Sequence, residues 1–258
     1  MKYTFGHTTL AAERLRRIAE FFNPYSSRFI LSGVNDKIIS ACDMGCGPGY
    51  STEMLYEATK ANSITGLDFS EDFICIAKEK YNDFIFQKQD VTKNLGVHKY
   101  DLIYSRFLLS HIPDISSAIN TWKNSLTKNG KIFIDELEDI NTEVPVFKKY
   151  LQISGSLVKS QDAELFVGKK MDSAIKSYNV ENNYSEVIKV PDRQASAWFY
   201  PNAAGIWSES EVVNNIIGRS EILQIQKKLL ELMDNESKES RITWKMKRII
   251  IFNKITKP

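Results

Sequence analysis

The sequence predicts an α/β protein built around a parallel sheet. Short β-rich runs alternate with helix-like stretches between residues 37 and 137, and the first of these runs leads into a glycine-rich loop. Such alternation is typical of βαβ units, in which each helix crosses over to the next parallel strand. The chain of 258 residues is long enough for one large domain with additional helices, or for two small domains.

The composition is that of an ordinary soluble protein, with 43% hydrophobic and 26% charged residues. A formal net charge of +2 gives no reason to expect a nucleic-acid partner. Three cysteines suggest thiols in a reducing compartment, and Cys42 and Cys46 lack the second pair that a zinc site needs. We find no signal-peptide pattern and no apolar run long enough to span a membrane. We therefore expect a cytoplasmic monomer or homodimer with no metal and no membrane partner.

The alternating region predicts five strands and three helices. Ser70 is a candidate N-cap for the second of these helices, and Asn129-Gly130 is expected to end the third. The predicted strands are 37–44, 63–68, 84–90, 100–107 and 131–137, and the predicted helices are 51–61, 70–81 and 115–126.

The flanking regions follow a different pattern. An amphipathic helix is expected over 9–22, where Asn23-Pro24 would end it and a second helix would begin. Helical spacing recurs after residue 140, and Ser208 with Glu211 fits a capping box for a later helix. The remaining predicted elements are a helix at about 169–178, a helical region to about residue 233, and strands at 184–190 and 244–255.

The glycine-rich loop is the strongest chemical signal in the chain. Residues 43–49 read Asp-Met-Gly-Cys-Gly-Pro-Gly and lie between a strand and a helix, where the backbone N–H groups favour an anion. A dinucleotide site would place its third glycine at the position of Tyr50, and a phosphate-binding P-loop would need a nearby lysine. The loop therefore favours a ligand that presents a carboxylate.

Two acidic residues end the next two strands. Asp68 is placed to accept hydrogen bonds from ribose hydroxyls, although it could instead cap the following helix. Asp90 is placed to accept one from an exocyclic amine. In a parallel sheet these strand ends lie at one edge, where ligands bind. A ligand with a carboxylate, a ribose and an adenine is S-adenosylmethionine.

The same stretches resemble the class I S-adenosylmethionine-dependent methyltransferases of the small-molecule type. The resemblance covers residues 37–137 and implies a seven-stranded Rossmann-like sheet with helices on both faces and an antiparallel last strand. It also implies an N-terminal helical segment (1–35), a methyltransferase domain (36–258) and a helical lid insertion at about 140–183. The matching stretches are DMGCGPG (43–49), ITGLDFSEDFICIAKEKY (64–81), FQKQDV (86–91), YDLIYSRFLLSHIPD (100–114) and NGKIFIDELED (129–139).

The resemblance implies a cofactor-binding set at the ends of four strands. The loop glycines would contact the methionine part, and Asp43 would hold either the loop or the cofactor's amino group. Phe69 would pack on the adenine, and Tyr3 near the N-terminus would close over the site. Arg106 could equally form a structural ion pair. The full set is Asp43, Gly45, Gly47, Gly49, Asp68, Phe69, Asp90, Val91, Ser105, Arg106 and Tyr3.

Methyl transfer requires in-line positioning and exclusion of water, and some acceptors also need a base. His111 follows the fourth strand and is the first candidate base, although it could simply order the turn that follows it. Glu136 is the second candidate and could equally be a solvated acid. Aromatic side chains would line the acceptor pocket or serve as core packing; the candidates are Trp198, Phe199, Tyr200, Trp207 and Phe147.

The function that the sequence favours is methyl transfer to an O, N or C atom of a small molecule such as a natural product. The cofactor would be S-adenosylmethionine and its product S-adenosylhomocysteine. Two alternatives stay open at this point. One is a methyltransferase that acts on RNA or protein, and the other is a non-catalytic subunit that keeps the fold.

Overall fold

A seven-stranded sheet forms the centre of the chain in the computed structural model, which describes residues 9–235 and 239–253. The strand order is β3-β2-β1-β4-β5-β7-β6. Neighbouring strands are parallel from β3 to β5, whereas β7 is antiparallel to both β5 and β6. The strands are β1 (Ser40–Met44), β2 (Ser63–Asp68), β3 (Ile85–Lys88), β4 (Tyr100–Arg106), β5 (Leu126–Thr142), β6 (Val180–Val190) and β7 (Ile242–Phe252).

Helices connect the strands and cover the sheet. Short 3₁₀ turns lie at Leu109–His111 and Val167–Lys170. The helices are α1 (Thr9–Gly33), α2 (Tyr50–Thr59), α3 (Glu71–Lys80), α4 (Ile115–Asn124), α5 (Pro145–Lys159), α6 (Met171–Ala174), α7 (Asp192–Ala204), α8 (Ile206–Glu209), α9 (Glu211–Ile216) and α10 (Arg219–Asp234).

Both faces of the central sheet are buried. Side chains alternate along β4, so that Leu102 and Tyr104 join the core that contains Phe29 of α1. Ile103 points the other way and joins the core that contains Trp122 of α4. Such two-sided burial is expected of a parallel sheet, and it confirms the predicted α/β class with helices on both faces.

A third core lies where α5, α7, α8, α9 and α10 meet the ends of β5, β6 and β7. It is rich in aromatic rings. Tyr150 of α5 stacks on Phe199 at 4.0 Å between ring centroids and on Trp207 at 5.1 Å. Trp198 and Trp244 meet edge to face at 5.4 Å. This core stands over one end of the sheet and forms the roof of the cavity described below.

The prediction of two N-terminal helices was wrong, because α1 continues through Pro24. Proline inside a helix removes one backbone hydrogen bond and costs about 3 kcal/mol. Phe22 and Phe29 are both 1% exposed on either side of the proline, and their burial offsets that cost. Asn23 and Ser26 also hold Arg106 of β4, which fixes this part of the helix against the sheet.

Two other local predictions were also wrong. Asn129-Gly130 does not end a helix: α4 stops at Asn124, and β5 runs through the pair with a register shift against β4. A side chain at Gly130 would lie 2.8 Å from the Tyr100 carbonyl oxygen, so the close strand contact explains this glycine. The predicted capping box at Ser208 is absent, and Ser210 caps α9 instead, accepting the Val213 amide at 3.4 Å.

The aromatic stretch 197–207 is mostly helical, and Pro201 lies inside α7. Ser70 caps α3 as predicted, with its hydroxyl oxygen accepting the Phe73 amide at 3.3 Å. The helical insertion predicted between strands five and six corresponds to α5 and α6. Across the described residues, none of the helices is long and apolar enough to cross a bilayer.

Candidate functional site

A cavity of about 200 Å³ opens at the carboxyl ends of β1, β2 and β4. The loop after β1 and the turns after β2 and β4 form its floor, while α1, α5 and α7 close it from above. Ligands of open α/β sheets bind at this edge. One half of the cavity is lined by the glycine loop and the residue after β2, and the other half by aromatic side chains of the third core.

The glycine loop lies on the floor of the cavity, and two of its glycines are there for different reasons. Gly47 has a φ of +52°, and a side-chain carbon added to it would find Leu15 as its nearest neighbour at 3.7 Å. Gly49 has a φ of +89°, but an added carbon there would collide with Tyr81 at 2.9 Å. Gly47 therefore leaves room for a ligand, whereas Gly49 is required by the packing behind the loop.

Asp68 joins the end of β2 to this loop. Its Oδ2 accepts the Gly47 amide at 2.9 Å, and its Oδ1 accepts the Ser70 amide at 2.7 Å. The carboxylate lines the cavity next to Phe69, whose side chain is exposed. An acid at the mouth of a glycine loop fits the ribose of an adenosyl cofactor, and Gly47 leaves the space that its methionine part needs.

Asp43 is buried beneath the loop and does not line the cavity. Its Oδ2 accepts the hydroxyls of Ser51 and Thr52, each at 2.7 Å, so that it braces the first turn of α2. Burial raises the pKa of Asp43 to about 6, although these two hydrogen bonds favour the ionised form. Of its two predicted roles, these contacts agree with holding the loop, and the role stays a prediction.

Arg106 lies at the end of β4 and lines the cavity. Its Nη1 donates to the Ser26 hydroxyl at 3.0 Å and its Nη2 to the Asn23 side-chain oxygen at 2.9 Å. Ser26 in turn donates to Asp135 at 2.6 Å, and Asp135 pairs with Arg248 at 3.2 Å. This buried chain fixes the guanidinium of Arg106 from behind.

Phe107 directly follows Arg106 and has a φ of +55°, which is unusual for a bulky residue. Its ring lies 5.4 Å from Phe22 and 6.1 Å from Trp244, and these contacts hold the strained turn in place. Strained residues of this kind cluster at functional sites. The turn sends the chain across the cavity floor towards His111.

His111 lines the cavity together with Arg14 of α1. Burial and, to a smaller extent, the positive charge of Arg14 together lower the pKa of His111 to about 4. The imidazole is therefore neutral at pH 7 and a weak proton acceptor.

The aromatic half of the cavity belongs to α5, α7 and β7. Tyr150, Trp198, Phe199 and Trp244 line it, and the Tyr150 hydroxyl accepts the side-chain amide of Asn202 at 2.6 Å. These residues come from distant parts of the sequence and meet over the carboxyl end of β4. The arrangement can hold an apolar molecule beside the glycine loop and keep water away from it.

Solved structures with the same fold include the YcgJ protein of Bacillus subtilis, with a TM-score of 0.58 and 13% identity over 90% of this chain and 99% of that one. The plantazolicin methyltransferase BpumL, in complex with a substrate analog and SAH, gives a TM-score of 0.52 and 16% identity over 93% of this chain and 85% of that one. At these identities the similarity shows a shared fold.

A family model described as a methyltransferase domain matches residues 42–132, the stretch that contains the glycine loop, Asp68 and Arg106. This stretch is a methyltransferase domain. Curated relatives include trans-aconitate 2-methyltransferase of Agrobacterium fabrum, 28% identical over 38% of this chain, and malonyl-[acyl-carrier protein] O-methyltransferase of Bacillus cytotoxicus, 27% identical over 43%. These matches cover 39% and 44% of the relatives, so the chain spans about two fifths of their length.

The structure brings much of the predicted cofactor set to the cavity. Four predicted residues lie elsewhere: Asp43 lies beneath the loop, Ser105 is fully buried, Asp90 holds its own turn by accepting the Thr92 hydroxyl at 2.6 Å, and Gly49 packs behind the loop. Tyr3 lies outside the described residues. The predicted residues that line the cavity are Gly45, Gly47, Asp68, Phe69, Val91 and Arg106.

Several of the predicted catalytic and acceptor residues also lie outside the cavity. Glu136 is fully buried away from the cavity, with its Oε1 accepting the amides of Leu108 and Leu109 at 2.8 Å. Tyr200, Trp207 and Phe147 also do not line it. Trp207 and Phe147 instead pack behind Tyr150 and Phe199.

Sequence reasoning missed several cavity residues. Arg14 lies in a stretch rich in charged residues, Glu-Arg-Leu-Arg-Arg, and nothing in the pattern distinguishes it from its exposed neighbours. Tyr150 falls three positions after Phe147 on the same helix, so helical spacing alone could have suggested it. The missed residues are Arg14, Phe107, Tyr150, Asn202 and Trp244.

Proposed function

We propose that this protein transfers a methyl group from S-adenosylmethionine to a small molecule. The observation that carries the proposal is a single cavity that joins a glycine loop and a strand-end acid to an aromatic chamber. The first half suits the donor and the second an acceptor, so the two would meet without crossing bulk water.

The donor half would bind the cofactor through residues with separate tasks. Gly47 leaves room for its methionine part to approach the backbone beside Gly45, and Asp68 accepts hydrogen bonds from its ribose hydroxyls. Phe69 and Val91 pack against its adenine. When bound, S-adenosylmethionine supplies an electrophilic methyl group carried by a sulfonium.

The aromatic half would orient the acceptor and exclude water. Trp198, Phe199 and Trp244 present rings to the same space, and aromatic faces stabilise a nearby cation such as a sulfonium. Tyr150 is held by Asn202 and by stacking on Phe199, so this wall is rigid before the acceptor binds.

His111 is the one predicted catalytic side chain that lines the cavity, and we propose that it contacts the acceptor as a neutral imidazole. Glu136 has a different task. It holds the turn after β4 through two backbone amides, and through that turn it positions His111.

Isothermal titration calorimetry with S-adenosylmethionine, S-adenosylhomocysteine and NAD tests the donor half. We expect micromolar or tighter binding of the two sulfur ligands and none of NAD. Binding of NAD alone would make the protein an oxidoreductase of the same sheet class. Binding of none of the three ligands would favour a subunit that keeps the fold without the activity.

A further inference from the structure

The charged residues that line the cavity indicate the kind of acceptor it takes. Among its described lining residues, the charged side chains are Arg14, Arg106 and Asp68, which gives two positive charges and one negative charge. The proposed cofactor adds a sulfonium, an ammonium and a carboxylate, and so a further net positive charge. The described lining residues and the cofactor would then together carry an excess of about two positive charges before the acceptor enters.

Arg106 belongs to the donor side. Asn23 and Ser26 hold its guanidinium, and its charge favours the ionised form of Asp43 beneath the glycine loop. Asn23 also donates to the backbone oxygen of Tyr50 at the start of α2, at 3.3 Å. These contacts tie Arg106 to the methionine end of the site.

Arg14 acts on the acceptor side. It is 9% exposed and lines the cavity, and its charge is among the causes that shift the pKa values of His111 and Tyr150, lowering that of His111. His111 and Tyr150 border the aromatic chamber. A cationic acceptor, such as a protonated amine, would be repelled by Arg14 in a partly desolvated space.

The proton that an acceptor loses during methylation also argues against an amine. An amine or a phenol must lose a proton on methylation, and a neutral imidazole beside Arg14 is a poor acceptor for that proton. Glu136 is buried behind the turn and does not line the cavity. The site is therefore better suited to a nucleophile that is already deprotonated at neutral pH.

We propose that the acceptor is an apolar carboxylic acid, bound as its carboxylate, with Arg14 holding the oxygen that is not methylated. This inference rests on the proposed methyltransferase function and names its substrate class. The reacting carboxylate oxygen forms the new O–CH₃ bond while the S–CH₃ bond breaks, and the electron pair of that bond stays on sulfur. The products are a neutral methyl ester and a neutral thioether, and no proton is released.

This reaction also suits the surroundings. Two opposite charges, the carboxylate and the sulfonium, disappear together in a cavity with mostly aromatic walls. In such a setting bringing them together is favoured, because few water molecules screen their attraction. Arg14 keeps the acid ionised until transfer. Its positive charge stabilises the carboxylate substrate, whereas the neutral ester product has no negative charge for it to stabilise.

The test uses matched ligands on the full chain saturated with S-adenosylhomocysteine. Each of several apolar acids, including 4-phenylbutanoate and octanoate, is paired with its amide and its amine, and binding is measured by ligand-observed NMR. We expect the acids to bind at least about tenfold more tightly than the amides, and the amines to bind most weakly. Equal binding of acids and amides, absence of acid binding, or preference for the amines would overturn the proposal.

Variants of Arg14 then test whether this residue causes the preference for acids. Arg14→Gln should abolish the preference for acids and Arg14→Lys should keep part of it, while Arg17→Gln, on the outer face of the same helix, should leave it unchanged. Thermal unfolding checks that each variant is folded. If Arg14→Gln instead weakens S-adenosylhomocysteine binding and leaves the acid preference intact, Arg14 belongs to the donor half and the proposal is wrong.

The cofactor titration distinguishes a wrong substrate class from a wrong proposed function. If S-adenosylmethionine binds and mass spectrometry shows methylated amines but no methyl esters, the substrate class is wrong and the proposed function stands. If the cofactor does not bind while Arg14 still selects acids in its absence, the proposed function fails and the acid site remains.

Discussion

The Oδ2 atom of Asp68 accepts a hydrogen bond from the Gly47 amide at 2.9 Å, so the end of β2 holds the loop that follows β1. The same carboxylate reaches the Ser70 amide with its other oxygen at 2.7 Å. One side chain therefore shapes the glycine loop, caps the turn before α3 and presents negative charge to the cavity.

Replacing Asp68 with Asn should weaken cofactor binding by roughly 10- to 100-fold, because hydrogen bonds to a charged group contribute about 1.5–3 kcal/mol. The amide would also place a donor against one of the two backbone N–H groups. Calorimetry with S-adenosylmethionine measures the effect. Asp72→Asn, on the exposed first turn of α3, is the matched control. An affinity equal to that of the control variant would remove Asp68 from the binding site.

Glu136→Gln should stabilise the protein above about pH 7. Burial raises the pKa of Glu136 to about 8, even though two backbone amides favour the ionised form. The folded protein therefore holds a proton that the unfolded chain releases near pH 4.5, and stability falls as the pH rises towards 8. Glutamine mimics the protonated acid and removes this loss, which we expect to be about 1–3 kcal/mol at pH 8.

Urea unfolding at pH 6 and pH 8 measures that change. Glu143→Gln replaces an exposed glutamate just after β5 and should show no such pH dependence. If Glu136→Gln lowers the free energy of unfolding equally at pH 6 and at pH 8, the carboxylate is needed in its ionised form.

His111 should make stability depend on pH in the opposite direction to Glu136 and in a lower pH range, and His111→Gln should remove that dependence. The folded-state pKa of His111 lies near 4, below its ordinary value of 6.5, so the unfolded chain binds the proton more readily. Stability should therefore fall as the pH drops from about 6.5 to 4, by about 1–3 kcal/mol, and the variant should lack this decrease. Denaturation across this range compares the wild type with His111→Gln and with His98→Gln, a surface change.

Alanine at Gly49 should destabilise the fold far more than alanine at Gly47. Both residues have a left-handed backbone, which costs about 1–2 kcal/mol for a residue with a side chain. Gly49→Ala adds the collision with Tyr81 and should cost about 3 kcal/mol or more, whereas Gly47→Ala should pay the backbone cost and weaken cofactor binding.

Gly155→Ala is the control for this pair. Gly155 lies in α5 with nothing within 4 Å of an added carbon, so alanine should be neutral or stabilising. Unfolding in urea gives the stabilities and calorimetry the affinities. Similar losses at Gly47 and Gly49 would contradict the different roles assigned to them.

The sheet and the donor half could be predicted because their signals are local. The glycine loop follows β1 within a few residues, and Asp68 ends β2 where the pattern places it. Parallel strands bring these short stretches to one edge, so a sequence pattern and a sheet topology were enough. Asp90 was misplaced, because an acid after a strand can equally bond its own turn, as it does with Thr92.

The acceptor half could not be predicted in the same way. Its walls come from α1, α5, α7 and β7, and no local pattern relates these segments. Pro201 concealed the helical character of α7, and with it the helical phase that turns Trp198 and Asn202 to the cavity and Tyr200 away. Large aromatic side chains are buried whether they line a pocket or fill a core, so residue type alone did not separate Trp198 from Trp207.

The unbroken course of α1 has a consequence for how such a site could diverge. Arg14 and Asn23 are nine positions apart on one helix, about 14 Å along its axis, so a single rigid element carries one contact at each end of the cavity. A substitution of Arg14 could change which acceptor binds, while Asn23 still accepts the hydrogen bond from Arg106. A one-residue insertion between them would rotate one contact by about 100° relative to the other. We therefore expect evolution in this helix to proceed by substitution and to preserve its length.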